Sequence, residues 1–166
     1  MQKTNTQSIT ITPDELFNHW QGHRRLTRKV IEAFPEDKLF THSIGGMRPF
    51  SELAMEMITI AGPGVLGMVS GEWKNFDEVE SEFTKKKPTT KKELLNLWDS
   101  ITETIDEAWP KIKEGRFQES ELVFETYEGK IWSHLFYFID NEIHHRGQGY
   151  VYLRSLDIEP PYFWER

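Results

Sequence analysis

Apolar residues recur along this chain at alternating spacings of four and three, the period of helices with one buried face. Thr12-Pro13-Asp14-Glu15 offers an N-cap, a proline at the first helical position and a capping-box glutamate. The stripe Leu16, Trp20, His23, Thr27, Val30, Phe34 then predicts a first helix that stops at Pro35. After the turn signal Gly45-Gly46, the positions Pro49, Phe50, Leu53, Met57, Ile60 and Ala61 predict a second helix, apolar on most of its circumference and therefore central. Pro63, between two glycines, is expected to bend or break it, with Val65 to Val69 continuing as a further turn or two. Residues 71–89 turn polar and read as a long crossover link. Thr90 and Glu93 repeat the capping-box spacing ahead of Leu94, Trp98, Ile101, Ile105, Ala108 and Ile112, with Pro110 predicting a kink or early end near Trp109. Alternation through Leu122, Phe124 and Thr126 allows a short extended segment, and a last helix runs from about Lys130 to Leu156, before Pro160-Pro161.

Four long helices predict an all-α, four-helix bundle with a long crossover between the second and third. At 166 residues the expectation is one domain over residues 1–166, with 1–11, polar and threonine-rich, as a flexible leader. That leader lacks the basic and apolar regions of a signal peptide, so the expected location is cytoplasmic. The apolar stretch Leu53 to Val69 is interrupted by Glu56 and by Gly62-Pro63-Gly64, and no membrane span is expected.

Charge and cysteine content narrow the chemistry. Lys plus Arg total 20 against 27 for Asp plus Glu, a net charge of −7, which disfavours a nucleic-acid partner. The chain has no cysteine, so a thiolate nucleophile, a disulfide and a thiolate metal site are all excluded. Any metal must sit on His, carboxylate or amide ligands.

Within the apolar second helix, Glu56 is a lone carboxylate on the stripe of Leu53 and Ile60, and burying it unpaired would cost several kcal/mol. A cation, a metal or a donor such as Asn or His is therefore expected opposite it. In the last helix Asn141 and His145 share a face at a spacing of four, together with Phe138 and His134. His134 lies roughly 16 Å along the axis from His145 and cannot share a metal with it. His19 and His23 also have ligand spacing, though chance pairing in a helix is the stronger reading. Glu142 with His145 matches half of a di-iron carboxylate motif, but no second copy exists. Gly147 and Gly149 inside a helix point to close packing, and Arg146 is expected to pair with Glu52 or Glu142.

The segment Met47-Arg48-Pro49-Phe50-Ser51-Glu52-Leu53-Ala54, followed much later by Glu142-Ile143-His144-His145-Arg146-Gly147-Gln148 and by Tyr152 to Pro161, resembles the DinB-like family over almost the whole chain. The resemblance implies a four-helix bundle, often a homodimer, with a divalent metal held by three histidines. Those positions fall on Glu56, Asn141 and His145, so one histidine of the three is kept. One carboxylate, one amide and one imidazole form a harder, weaker set, suited to manganese or iron over nickel or zinc, or to no metal. Family members that resemble enzymes imply thiol-dependent transfer or isomerisation on small electrophiles, with a low-molecular-weight thiol as cofactor. Two functions follow as expectations: a metal-dependent transferase using Glu56, Asn141 and His145, or a non-catalytic small-molecule-binding or stress-response module without metal.

Overall fold

The computed structural model describes residues 10–85 and 87–166. The expected leader at 1–11 therefore lies almost wholly outside the described residues. The chain is mostly helical. In order along the chain come α1 (Pro13–Ala33), α2 (Glu36–Thr41), α3 (Phe50–Ser70), α4 (Phe76–Thr84), α5 (Lys91–Ala108), β1 (Ser120–Val123), β2 (Tyr127–Lys130) and α6 (Ile131–Ser155). The long helix α3 packs on both α5 and α6, and α1 closes against the same two.

Helix starts follow their caps. Thr12 accepts from the Glu15 backbone while Glu15 Oε2 accepts from the Thr12 backbone at 2.8 Å, and Thr90 with Glu93 repeats the arrangement. Pro35 ends α1 at Ala33. As expected, Pro110 ends α5, which tightens into a 3₁₀ turn over Trp109–Lys111. The core runs through Trp20, Val30, Phe50, Ile58, Val65, Trp98, Leu135 and Leu153, all at most 2% exposed.

Three departures from the sequence reading have physical causes. First, Pro63 neither breaks nor ends α3, which continues through it to Ser70. The flanking glycines serve packing: a Cβ on Gly62 would lie 2.9 Å from Ile101, and one on Gly64 would lie 2.5 Å from Phe138. Because the helix is uninterrupted, α3 has the length and mean hydropathy (1.5) of a membrane span, contrary to expectation. Its most apolar window is 61% buried within the fold, which marks it as a core helix.

Second, the polar link contains α4, opened by a capping box between Asn75 and Glu78, with Val79 and Phe83 turned into the core. Third, the extended segment is a β-hairpin, so the chain is not purely α. Ser120 pairs with Lys130 and Val123 with Tyr127 across a turn in which Phe124 and Glu125 take positive φ. Arg116 fastens this hairpin to the end of α3, donating to the Met68 carbonyl at 2.8 Å and to both oxygens of Glu121 at 2.7 Å.

Candidate functional site

The amphipathic register of α3 turns Glu56 toward α6, and the spacing of four on α6 presents Asn141 and His145 to it. The structure brings these three together. His145 Nε2 lies 2.8 Å from Glu56 Oε1, and Asn141 Nδ2 donates to the same oxygen at 3.1 Å. The other oxygen, Oε2, accepts from the Arg48 guanidinium at 2.5 Å. Burial raises the Glu56 pKa, but hydrogen bonds from Arg48, His145 and Asn141 outweigh it and hold the carboxyl down to about 2. Glu56 is therefore a carboxylate at neutral pH. His145 Nδ1 faces Gln148 Oε1 at 3.2 Å, and the Gln148 amide nitrogen continues to His144 Nε2 at 3.2 Å. The ring of His145 is thus strung between Glu56 and Gln148.

Arg48 is the partner that helical spacing missed. It sits in the segment ahead of α3, outside any stripe, and its signal was its place in the Met47-Arg48-Pro49-Phe50 motif. Tyr152 holds that segment in place, donating its hydroxyl to the Arg48 carbonyl at 2.8 Å.

The arrangement does not fit a divalent ion. The amide nitrogen of Asn141 faces Glu56, while its Oδ1, the atom that would ligate, is buried elsewhere with no partner. Turning the amide over would set oxygen against carboxylate oxygen. The guanidinium of Arg48 already supplies the positive charge that Glu56 requires, and among the described residues no three or more His, Asp or Glu side chains converge on one point.

Over Glu56 opens a cavity of about 430 Å³, lined by residues of α3 and α4 and by the chain on either side of them. Its walls are mixed: Phe40, Phe76 and Phe83 are apolar, and Arg48, Ser51 and Glu56 are polar. This volume lies within the range of sites that enclose a small organic molecule.

A second polar cluster lies on the α1 side of α6. Glu142, 2% exposed, sits 3.8 Å from both Arg24 and Arg146 and accepts from Thr27 Oγ1 at 2.6 Å. Arg146 thus pairs with Glu142, while Glu52 lines the cavity instead. His19 and His23 do approach, Nε2 to Nε2, at 3.2 Å. The guanidinium groups of Arg146 and Arg166 face the two ring nitrogens of His23, 2.9 Å from Nδ1 and 3.0 Å from Nε2. A ring with a guanidinium against each nitrogen is a poor place for a metal cation. His134 is half-buried beside Gly129, away from the centre, and His144 is exposed.

Solved structures share this fold. A DinB-like protein from Bacillus cereus ATCC 10987 superposes with a TM-score of 0.71 at 17% identity, covering 91% of this chain and 97% of that one. A DinB-like protein from Bacillus subtilis gives 0.69 at 21% identity, covering 91% and 99%. The mycothiol-dependent maleylpyruvate isomerase gives 0.62 at 14% identity over 82% of this chain and 60% of that one. Among curated proteins nothing matches. A profile of the DinB family matches residues 1–165, and the chain belongs to the DinB family.

Proposed function

We propose that this chain is a single-domain, cytoplasmic DinB-family four-helix bundle of α1, α3, α5 and α6, in which the segment holding α4 is the crossover. Its function is to bind a small molecule in the cavity above Glu56, without a divalent metal. One observation carries this reading: both oxygens of Glu56 are taken by donors, with Arg48 as the resident cation. Ligand atoms entering the cavity meet Glu56 and the Arg48 guanidinium on a polar floor fixed by Asn141 and His145. Such a pair can hold a proton-bearing group in a set orientation.

A second reading is favoured by the convergence of Glu56, Asn141 and His145 and by the likeness to a mycothiol-dependent isomerase. In it, manganese, iron, nickel or zinc displaces Arg48, and a low-molecular-weight thiol is transferred to a small electrophile. Metal analysis of tag-free protein separates the two. The first reading expects no stoichiometric metal and a melting temperature unchanged by added Mn²⁺, Fe²⁺, Ni²⁺ or Zn²⁺. Metal retained by the native chain and lost in both Glu56→Ala and His145→Ala would replace it with the second.

Neither reading needs nucleic acid or a membrane as partner. A second copy of the chain is the proposed protein partner, seated on the outer face of α6, where Trp132, Phe136 and Ile143 share one side and remain exposed. Sedimentation of the native chain against Phe136→Glu tests that face.

A further inference from the structure

The walls of the cavity carry more information than its floor. Arg48 is committed to Glu56, so it does not set the charge that an incoming ligand meets. Two other carboxylates line the same cavity, Glu52 on α3 and Glu80 on α4. Neither makes an ion pair or a side-chain hydrogen bond among the described residues, and one lysine, Lys87, faces them. The free charge of the lining is therefore predominantly negative.

Surface carboxylates alone would say little, but two further features point to a ligand. Ser51 is only 6% exposed, lines the cavity and makes no side-chain hydrogen bond among the described residues. Its hydroxyl therefore has its hydrogen-bonding capacity open toward the cavity, where an occupant able to donate can use it. In addition, Phe40, Phe76 and Phe83 form the apolar part of the wall, and the negative faces of such rings attract cations.

Building on the metal-free binding reading, we infer that the cavity selects a small organic ammonium ion carried on an apolar body. The apolar body packs against the phenyl rings. The ammonium group donates to Glu52, Glu80 and the Ser51 hydroxyl.

Three probes of one shape test the charge preference on the full chain at neutral pH: 2-phenylethylamine, 2-phenylethanol and 3-phenylpropanoate. Calorimetric titration is expected to show the amine binding about tenfold tighter than the alcohol, with the carboxylate weakest, and the preference shrinking as salt is raised. In the double variant Glu52→Gln with Glu80→Gln, the amine should fall to the level of the alcohol. Both side chains are exposed, so an unchanged urea midpoint is expected to confirm that the variant is folded. Equal binding of amine and alcohol, tighter binding of the carboxylate, or an amine affinity untouched by the double variant overturns the inference while leaving the binding cavity in place. Failure of all three probes overturns it as well. The metal-free reading of Glu56 stands or falls separately, on the metal analysis above.

Discussion

Nε2 of His145 lies 2.8 Å from Oε1 of Glu56, across the packed faces of α6 and α3 and 89 residues of sequence. The contact is held from both ends, by Gln148 behind the imidazole and by Arg48 on the far carboxylate oxygen. Its strength is readable in the acidity of Glu56. The carboxyl ¹³C resonance of Glu56 should titrate with a midpoint of about 2. In Arg48→Ala burial is less opposed, so the midpoint should rise by about one unit or more. A midpoint near the ordinary 4.5 in the native chain would show that the three donors do not act together.

Glu142 lies between two arginines that water hardly reaches, Arg24 at 0% and Arg146 at 5% exposure. Burial pushes the Glu142 carboxyl up, and Arg24, Thr27 and Arg146 oppose that rise. The guanidinium of Arg24 also lies 3.4 Å over the ring of Trp98, so it cannot swing out to water without unpacking α5. Glu142→Gln removes the carboxylate that both buried cations share, leaving only Asp99 to act on Arg24. Urea denaturation should show a loss of about 3–5 kcal/mol. A loss below about 1 kcal/mol would mean that water or another acceptor already serves the two arginines.

Much of the fold was legible because local and tertiary signals agree. Thr12 with Glu15 and Thr90 with Glu93 announce helix starts that the structure keeps. Asn75 with Glu78 carries the same signature for α4, yet the composition around it is polar enough to hide Val79 and Phe83, the residues that dock it. Pro63 does not break α3, for the opposite reason. Its glycine neighbours suggest a weak point in the helix, whereas their missing side chains admit Ile101 and Phe138. At the site, helical spacing found Glu56, Asn141 and His145, since residues on helix faces meet by periodicity. It could not find Arg48, which reaches Glu56 from a loop, nor the direction of the Asn141 amide, which is fixed only by its neighbours. Nor does periodicity reveal that Arg24, a charged residue in a long helix, is fully buried.

Two glycines of α6, two residues apart, should respond oppositely to the same change. A Cβ at Gly149 would lie 2.4–2.9 Å from three ring atoms of Phe50, at the α3–α6 contact beside the site. At Gly147 nothing lies within 4 Å. Alanine gains about 1 kcal/mol of helix propensity at either position. Gly147→Ala should therefore raise stability by about that amount. Gly149→Ala should lower it by about 1–2 kcal/mol, since overpacking against a 0% exposed ring exceeds the propensity gain. Thermal denaturation of the two variants checks both signs, and a stabilised Gly149→Ala would mean that α6 can shift away from Phe50 freely.

His23 gives the protein a pH dependence distinct from that of its carboxylates. Its ring is 3% exposed, and burial first, then Arg146, His19 and Arg166, hold its pKa down to about 3 from the ordinary 6.5. Between those two values the unfolded chain binds a proton that the folded chain refuses. Stability from this residue is therefore fully present above about pH 6.5 and is lost progressively as pH falls toward 3. His23→Gln keeps an oxygen to accept from Arg146 but does not titrate. Going from about pH 7 to about pH 4.5, the native chain should lose about 2.5 kcal/mol more than the variant. Urea midpoints at matched pH values measure that difference directly. Parallel pH profiles for the two proteins would mean that His23 accepts its proton in the folded state, and that Arg146 and Arg166 do not face it as closely as 2.9 and 3.0 Å.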